Sequence, residues 1–111
     1  MENRKITDEK VYLMVTVTTD DVRAFNEWWT RESLPHWLNF GAKHIGSWVN
    51  WVGGPKLGDD EIIRIFEFEN FAHYGRWEDW LHGPEARDLM SNIASFKIRS
   101  QRRLLHFAPT K

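Results

Sequence analysis

The chain has 111 residues, 41% hydrophobic, 28% charged and 14% aromatic, a balance that fits one folded domain spanning residues 1–111 and excludes intrinsic disorder. Its 15 Lys and Arg against 16 Asp and Glu leave a formal net charge of -1, so no global field draws nucleic acid or anionic lipid. With no Cys, disulfides, thiolate nucleophiles, iron–sulfur clusters and Cys-based zinc sites are excluded.

Residues 1–9 are polar and expected to be loosely ordered. They do not open onto the apolar stretch of a signal peptide, and no run approaches the roughly 20 residues that span a bilayer. The chain therefore reads as cytoplasmic, with no membrane partner. From Lys10 to Thr18 the segment KVYLMVTVT is β-branched and apolar with little polar interruption, as in a strand covered on both faces. Thr19-Asp20-Asp21 then caps a helix over residues 22–38. Pro35 lies inside that helix, where its missing donor and its ring predict a kink or break near Leu34.

Lys43 to Val52 reads as a second strand bounded by Gly41 and by Gly53-Gly54-Pro55. Glu61 to Glu69 alternates and pairs with it as a hairpin. Asn70 caps a helix over residues 71–82, and Gly83-Pro84-Glu85 restarts helical structure with Pro at the first position. Phe96 to Ala108 closes the chain as a fourth strand. The order β-α-β-β-α-β, with the second helix broken in two, is the α+β split β-α-β or ferredoxin-like unit, an antiparallel four-stranded sheet with helices on one face. Strand one is apolar on both sides, with Val11, Leu13, Val15 and Val17 on one and Tyr12 and Met14 on the other. A second protomer is the simplest cover for the bare face.

Here the chain resembles the dimeric α+β barrel superfamily, in which two such protomers pack sheet to sheet. Phe25-Asn26-Glu27-Trp28-Trp29 followed by Glu32-Ser33-Leu34-Pro35 is similar to the first-helix signature of its EthD and NIPSNAP-like branches, where an aromatic pair precedes Glu-His-x-Pro. Glu32 and Pro35 match. Ser33 stands where such relatives often carry His, so no role of that His is carried over. The resemblance implies a superfamily that includes cofactor-free monooxygenases, polyketide cyclases, muconolactone isomerases and haem-handling enzymes, so fold does not fix function.

On a helical wheel Val22, Phe25, Trp28 and Trp29 share one arc, and Glu32 falls inside it. His36 follows one turn later, so a Glu32–His36 pair would hold the imidazole as a general base. The alternative is that the Pro35 kink turns His36 outward and Glu32 pairs with a nearby Arg. In the second helix Tyr74, Trp77, Trp80 and Leu81 share a face with His73 among them. That ring is either an acid–base group with a lowered pKa or a satisfied core histidine. Arg64 and Glu67 fall on opposite faces of strand three, and Arg99, Gln101 and Arg103 share one face of strand four. A Glu67–Arg103 ion pair would either orient a ligand or bridge a dimer.

His36, His44, His73, His82 and His106 show no metal-ligand spacing, so no metal is expected, although one axial His in an apolar pocket leaves haem ligation open. There is no Gly-rich phosphate cradle and no GxSxG elbow.

These features predict a homodimer whose cleft, between helices and sheet, holds a small apolar or aromatic molecule against Trp29, Tyr74 and Trp77, with Arg64 and Arg103 as candidate ligand-binding cations. The favoured chemistry is proton transfer without a bound cofactor, through His73 or Glu32–His36, as in an isomerase, cyclase or lyase of a polyketide- or lactone-like substrate. The resemblance implies a competitor, a cofactor-free monooxygenase of a phenolic substrate. A third reading is a non-catalytic ligand-binding or stress-related barrel in which the seven Trp only pack.

Overall fold

The computed structural model describes residues 9–50, 60–92 and 98–106. Its sheet is antiparallel throughout, with strand order β2-β3-β1-β4, formed by β1 (Val11–Thr19), β2 (Lys43–Val49), β3 (Asp60–Phe68) and β4 (Ile98–His106). This is the ferredoxin-like arrangement read from the order of elements. The expected extensions of strand two through Trp51 and Val52, and of strand four through Phe96 and Phe107, lie outside the described residues. So do residues 1–8 of the segment expected to be loosely ordered, while Glu9 is held by His106 at 2.7 Å.

Strand parity decides the core. Val11, Leu13, Val15, Val17 and Thr19 of β1 are buried, as are Ile62, Arg64, Phe66 and Phe68 of β3. All face the helices, as the period-2 geometry of strands requires. The intervening Tyr12, Met14, Ile63 and Ile65 are only half-buried on the open face, so among the described residues the helices cover the continuous apolar run of β1 on one side.

Three helix starts follow from their caps. Asp21 accepts from the Ala24 N–H at 3.0 Å to open α1 (Val22–Trp28). Asn70 accepts from the His73 N–H at 3.0 Å to open α3 (Phe71–Leu81). Pro84 takes the first turn of α4 (Pro84–Ser91), where its missing N–H costs nothing.

The helix does not break near Pro35. It widens into a π-turn over Trp29–Ser33, in which the Leu34 N–H bonds the Trp29 carbonyl, and then resumes as α2 (Leu34–Asn39). A proline that would strike the carbonyl of an α-turn is accommodated by this extra residue per turn. Gly41, at φ 81°, ends α2 by a Schellman closure. Its N–H bonds Leu38 O at 3.0 Å, and the Ala42 N–H bonds Trp37 O at 3.2 Å.

Candidate functional site

The π-turn sets which residues face the sheet. An α-helical wheel places Glu32 and His36 inward, but one inserted residue moves the inward positions to Ser33 and Trp37, both buried. Between this helical layer and β1 and β4 lies a cavity of about 220 Å³. Its walls are Phe25, Trp28 and Trp29 from the first helix, Trp37 from α2, and Trp77, Trp80 and Leu81 from α3. Ala86, Leu89 and Met90 of α4 close it, and Val15, Val17, Ile98, Ser100 and Arg102 form its floor.

The indoles brace one another. Trp37 stacks on Phe66 at 3.9 Å and meets Trp77 at 4.1 Å between ring centroids, which fixes the cavity wall. Polar groups in this lining are few. Ser33 Oγ receives the Trp37 Nε1–H at 3.3 Å. Trp77, only 1% exposed, has its Nε1–H buried without a hydrogen-bond partner among the described residues, a donor whose desolvation is uncompensated.

Among the described residues of the lining, the single charge is Arg102. Its guanidinium lies over the Trp77 ring, 5.6 Å from the centroid, and donates to Glu78 Oε2 at 2.7 Å. Tyr74 OH donates to the same oxygen at 3.2 Å, and His82 lies 3.6 Å from the other. Burial alone would raise the Glu78 carboxyl, but the Arg102 hydrogen bond and charge outweigh it and hold the group below its ordinary value. Burial, then the neighbouring Glu78 charge, push the Tyr74 phenol up. The arrangement can bury a flat apolar body and offer a cation to one anionic or carbonyl oxygen.

Of the residues singled out from sequence, Trp29 and Trp77 line the cavity, whereas Tyr74 stands behind it against Phe68 and Glu78. The Glu32–His36 pair does not form. Glu32 accepts from Arg31 Nε at 3.0 Å, and His36 stacks on Trp80 at 4.9 Å with Nδ1 3.2 Å from Glu85 Oε1. His73 lies off the lining, its ring beside Gly41. Glu67 pairs with Lys10 at 3.3 Å instead of Arg103, because β1 lies between β3 and β4.

Arg64 and Arg103 are on opposite faces of the sheet, so one site within this chain cannot use both. The sequence reading missed Arg102, although its parity with Ile98, Ser100 and Leu104 was a usable signal. Among the described residues no group of three or more His, Asp or Glu is arranged for a metal ion. No His lies among the described residues of the cavity lining, so those residues do not fit a haem's axial ligation. No helix of the described residues is long and apolar enough to cross a membrane.

No protein-family model and no curated protein sequence matches the chain. Solved structures do. An uncharacterized NIPSNAP-like domain protein from Burkholderia xenovorans is 16% identical, aligning 94% of this chain with 90% of its own at a TM-score of 0.71. A dimeric ferredoxin-like protein from an uncultured marine organism is 9% identical over 91% of this chain and 97% of its own, at 0.60. SnoaB of Streptomyces nogalater, a cofactor-independent oxygenase, is 12% identical over 92% and 96%, at 0.55. The chain has the ferredoxin-like α+β fold of the NIPSNAP-like proteins.

Proposed function

We propose that this protein is a small-molecule enzyme working without a bound cofactor, and that its tryptophan cavity takes a planar aromatic compound carrying one ionised or enolisable oxygen. The observation that carries the reading is the lining itself: among the described residues, five indoles surround about 220 Å³ with one cation, Arg102, at the floor. Such a surface binds flat π-systems by dispersion and burial. Arg102 then favours a phenolate or enolate over its neutral parent. A carbon beside that oxygen becomes electron-rich, ready to take a proton, as in an isomerase, cyclase or lyase, or to react with oxygen. The oxygenase reading gains support from the shared fold with a cofactor-independent oxygenase.

The homodimer belongs to the same reading. The open sheet face presents Tyr12, Met14, Ile63 and Ile65 half-buried, and a neighbour of the same fold is described as dimeric. A second copy seated on that face would bury them.

One observation favours a non-catalytic binding protein as the second reading: Glu32, His36 and His73 are absent from the lining. The test is a tryptophan-fluorescence screen of phenolic and naphthoic acids, followed by oxygen uptake and product analysis on any compound that saturates. Turnover abolished by Arg102→Gln supports the enzyme. Saturable binding with no change to the bound compound, in air or without it, selects the binding protein.

A further inference from the structure

A second site lies at the other end of the helical layer. Around residue 45 the pairing of β2 with β3 slips, so that His44 stands opposite Phe66 and Ser47 opposite Arg64. Residues three apart on a regular strand face opposite ways. This bulge turns His44 and Ser47 to the same, helix-covered side.

The two side chains then meet, with His44 Nε2 2.8 Å from Ser47 Oγ. The imidazole is held by Phe66, at 5.2 Å and inclined by 30°, and by Trp29 at 5.6 Å. Its ring also hydrogen-bonds the Gly46 backbone. Burial, then the Arg64 charge, lowers its pKa, so the ring is neutral and can accept a proton near pH 7.

Arg64 completes the cluster. It is 2% exposed, stacks 3.6 Å from the Trp29 centroid, and donates through Nη1 to Ser47 Oγ at 2.8 Å and through Nη2 to Asn26 Oδ1 at 3.0 Å. Burial brings its pKa down to about 10. A guanidinium so enclosed by neutral groups is stabilised by any negative charge that develops beside it. Ser47 and Asn26 line an open groove of about 290 Å³ whose other walls are apolar Val22, Trp48, Val49 and Ile62 and charged Arg23 and Glu27.

We propose that Ser47 is a nucleophile activated by His44, and that this groove accepts and cleaves small carboxylic esters. Ser47 Oγ attacks the ester carbonyl carbon while its proton passes to His44 Nε2, in the tautomer that carries hydrogen on Nδ1. Arg64 stabilises the forming alkoxide, and Asn26, anchored on Arg64 through Oδ1, keeps its Nδ2 hydrogens for the carbonyl oxygen. The bond from acyl carbon to alcohol oxygen breaks, and that oxygen takes the proton from His44. Water then attacks the acyl-serine with His44 again as base, releasing the acid and restoring Ser47.

The probe is a fluorophosphonate, with the adduct located by peptide mass spectrometry, alongside hydrolysis of p-nitrophenyl acetate. The expected result is one phosphonyl group on Ser47, and a labelling rate at least about 10²-fold lower in His44→Gln. Ser47→Ala should lose both label and hydrolysis, with its circular dichroism spectrum unchanged. Because the chain has no Cys, Ser47→Cys is a clean second variant. Its thiol should alkylate with iodoacetamide about tenfold faster than that of Ser91→Cys, an exposed helical position, through the lowered thiol pKa beside Arg64. A fully folded wild type that takes no label, a label elsewhere, or a Ser47 label unchanged in His44→Gln would each overturn the proposal.

Discussion

The Arg102 guanidinium lies over the Trp77 ring, 5.6 Å from its centroid, while its Nη1 holds Glu78. One cation therefore serves the helix surface and the cavity floor together. Replacing it with Gln removes the charge but keeps much of the stem. Charge-assisted hydrogen bonds contribute about 1.5–3 kcal/mol when well desolvated, and the partial exposure of Arg102 puts it at the low end. Arg102→Gln should weaken binding of an aromatic anion about tenfold and leave a neutral analogue of the same shape nearly unchanged. Paired fluorescence titrations measure both.

Trp77 gives a different test. As a buried ring packed on Trp37 and Phe68, its replacement by Ala should cost about 3–5 kcal/mol. Trp77→Phe retains most of the packing and removes an Nε1–H that has no partner among the described residues. It should be far less damaging in a thermal melt than Trp77→Ala.

The π-turn predicts an asymmetry between two neighbouring positions. Pro35→Ala restores the missing donor, but Trp37 stays locked between Phe66 and Trp77. The π register should survive, and unfolding free energy should change by less than about 1 kcal/mol. Trp37→Ala removes the lock and should cost about 3–5 kcal/mol. Urea unfolding of the two variants reads the difference.

Stability should fall in two steps on acidification. His44 has its pKa lowered from 6.5, so its contribution is complete above about pH 6.5 and is lost as pH falls through the lower folded value. Glu78 is lowered from 4.5, and its contribution is present above that pH and lost as pH falls through its own folded value. Melting temperature followed from pH 8 to pH 3 should lose the first step in His44→Gln and the second in Glu78→Gln.

The element order and the helix caps were legible because they rest on local chemistry. Asp21, Asn70 and Pro84 each act within one turn of where they stand. Strand parity was equally readable, and it separated Arg64 from Glu67 correctly. What failed were the places where the backbone gains one residue. The π-turn replaced Glu32 and His36 with Ser33 and Trp37 as inward groups, and the bulge at residue 45 brought His44 to Ser47. A wheel or an alternation pattern assumes a constant period, so a single inserted residue reverses its assignments downstream. Pro35 signalled the first disturbance without revealing its form. Arg102 escaped the sequence reading because three polar residues of β4, Arg99, Gln101 and Arg103, share the opposite face.

The open sheet face gives one more outcome. Ile65→Arg places a charge among Tyr12, Met14 and Ile63 without touching the tryptophan cavity. In sedimentation the wild type should run as a dimer and the variant as a folded monomer. A wild-type monomer would remove the second copy from the account.

If the tryptophan cavity is a ligand site, Ala86 tests it most directly because it is 1% exposed and part of the lining. The measurement is a tryptophan-fluorescence titration with a hydroxynaphthoate of the wild type and of Ala86→Leu, whose added methyls fill the cavity. The prediction is saturable quenching in the wild type and its loss in a folded Ala86→Leu. Quenching that is absent from the wild type, or unchanged in the filled variant, would contradict it.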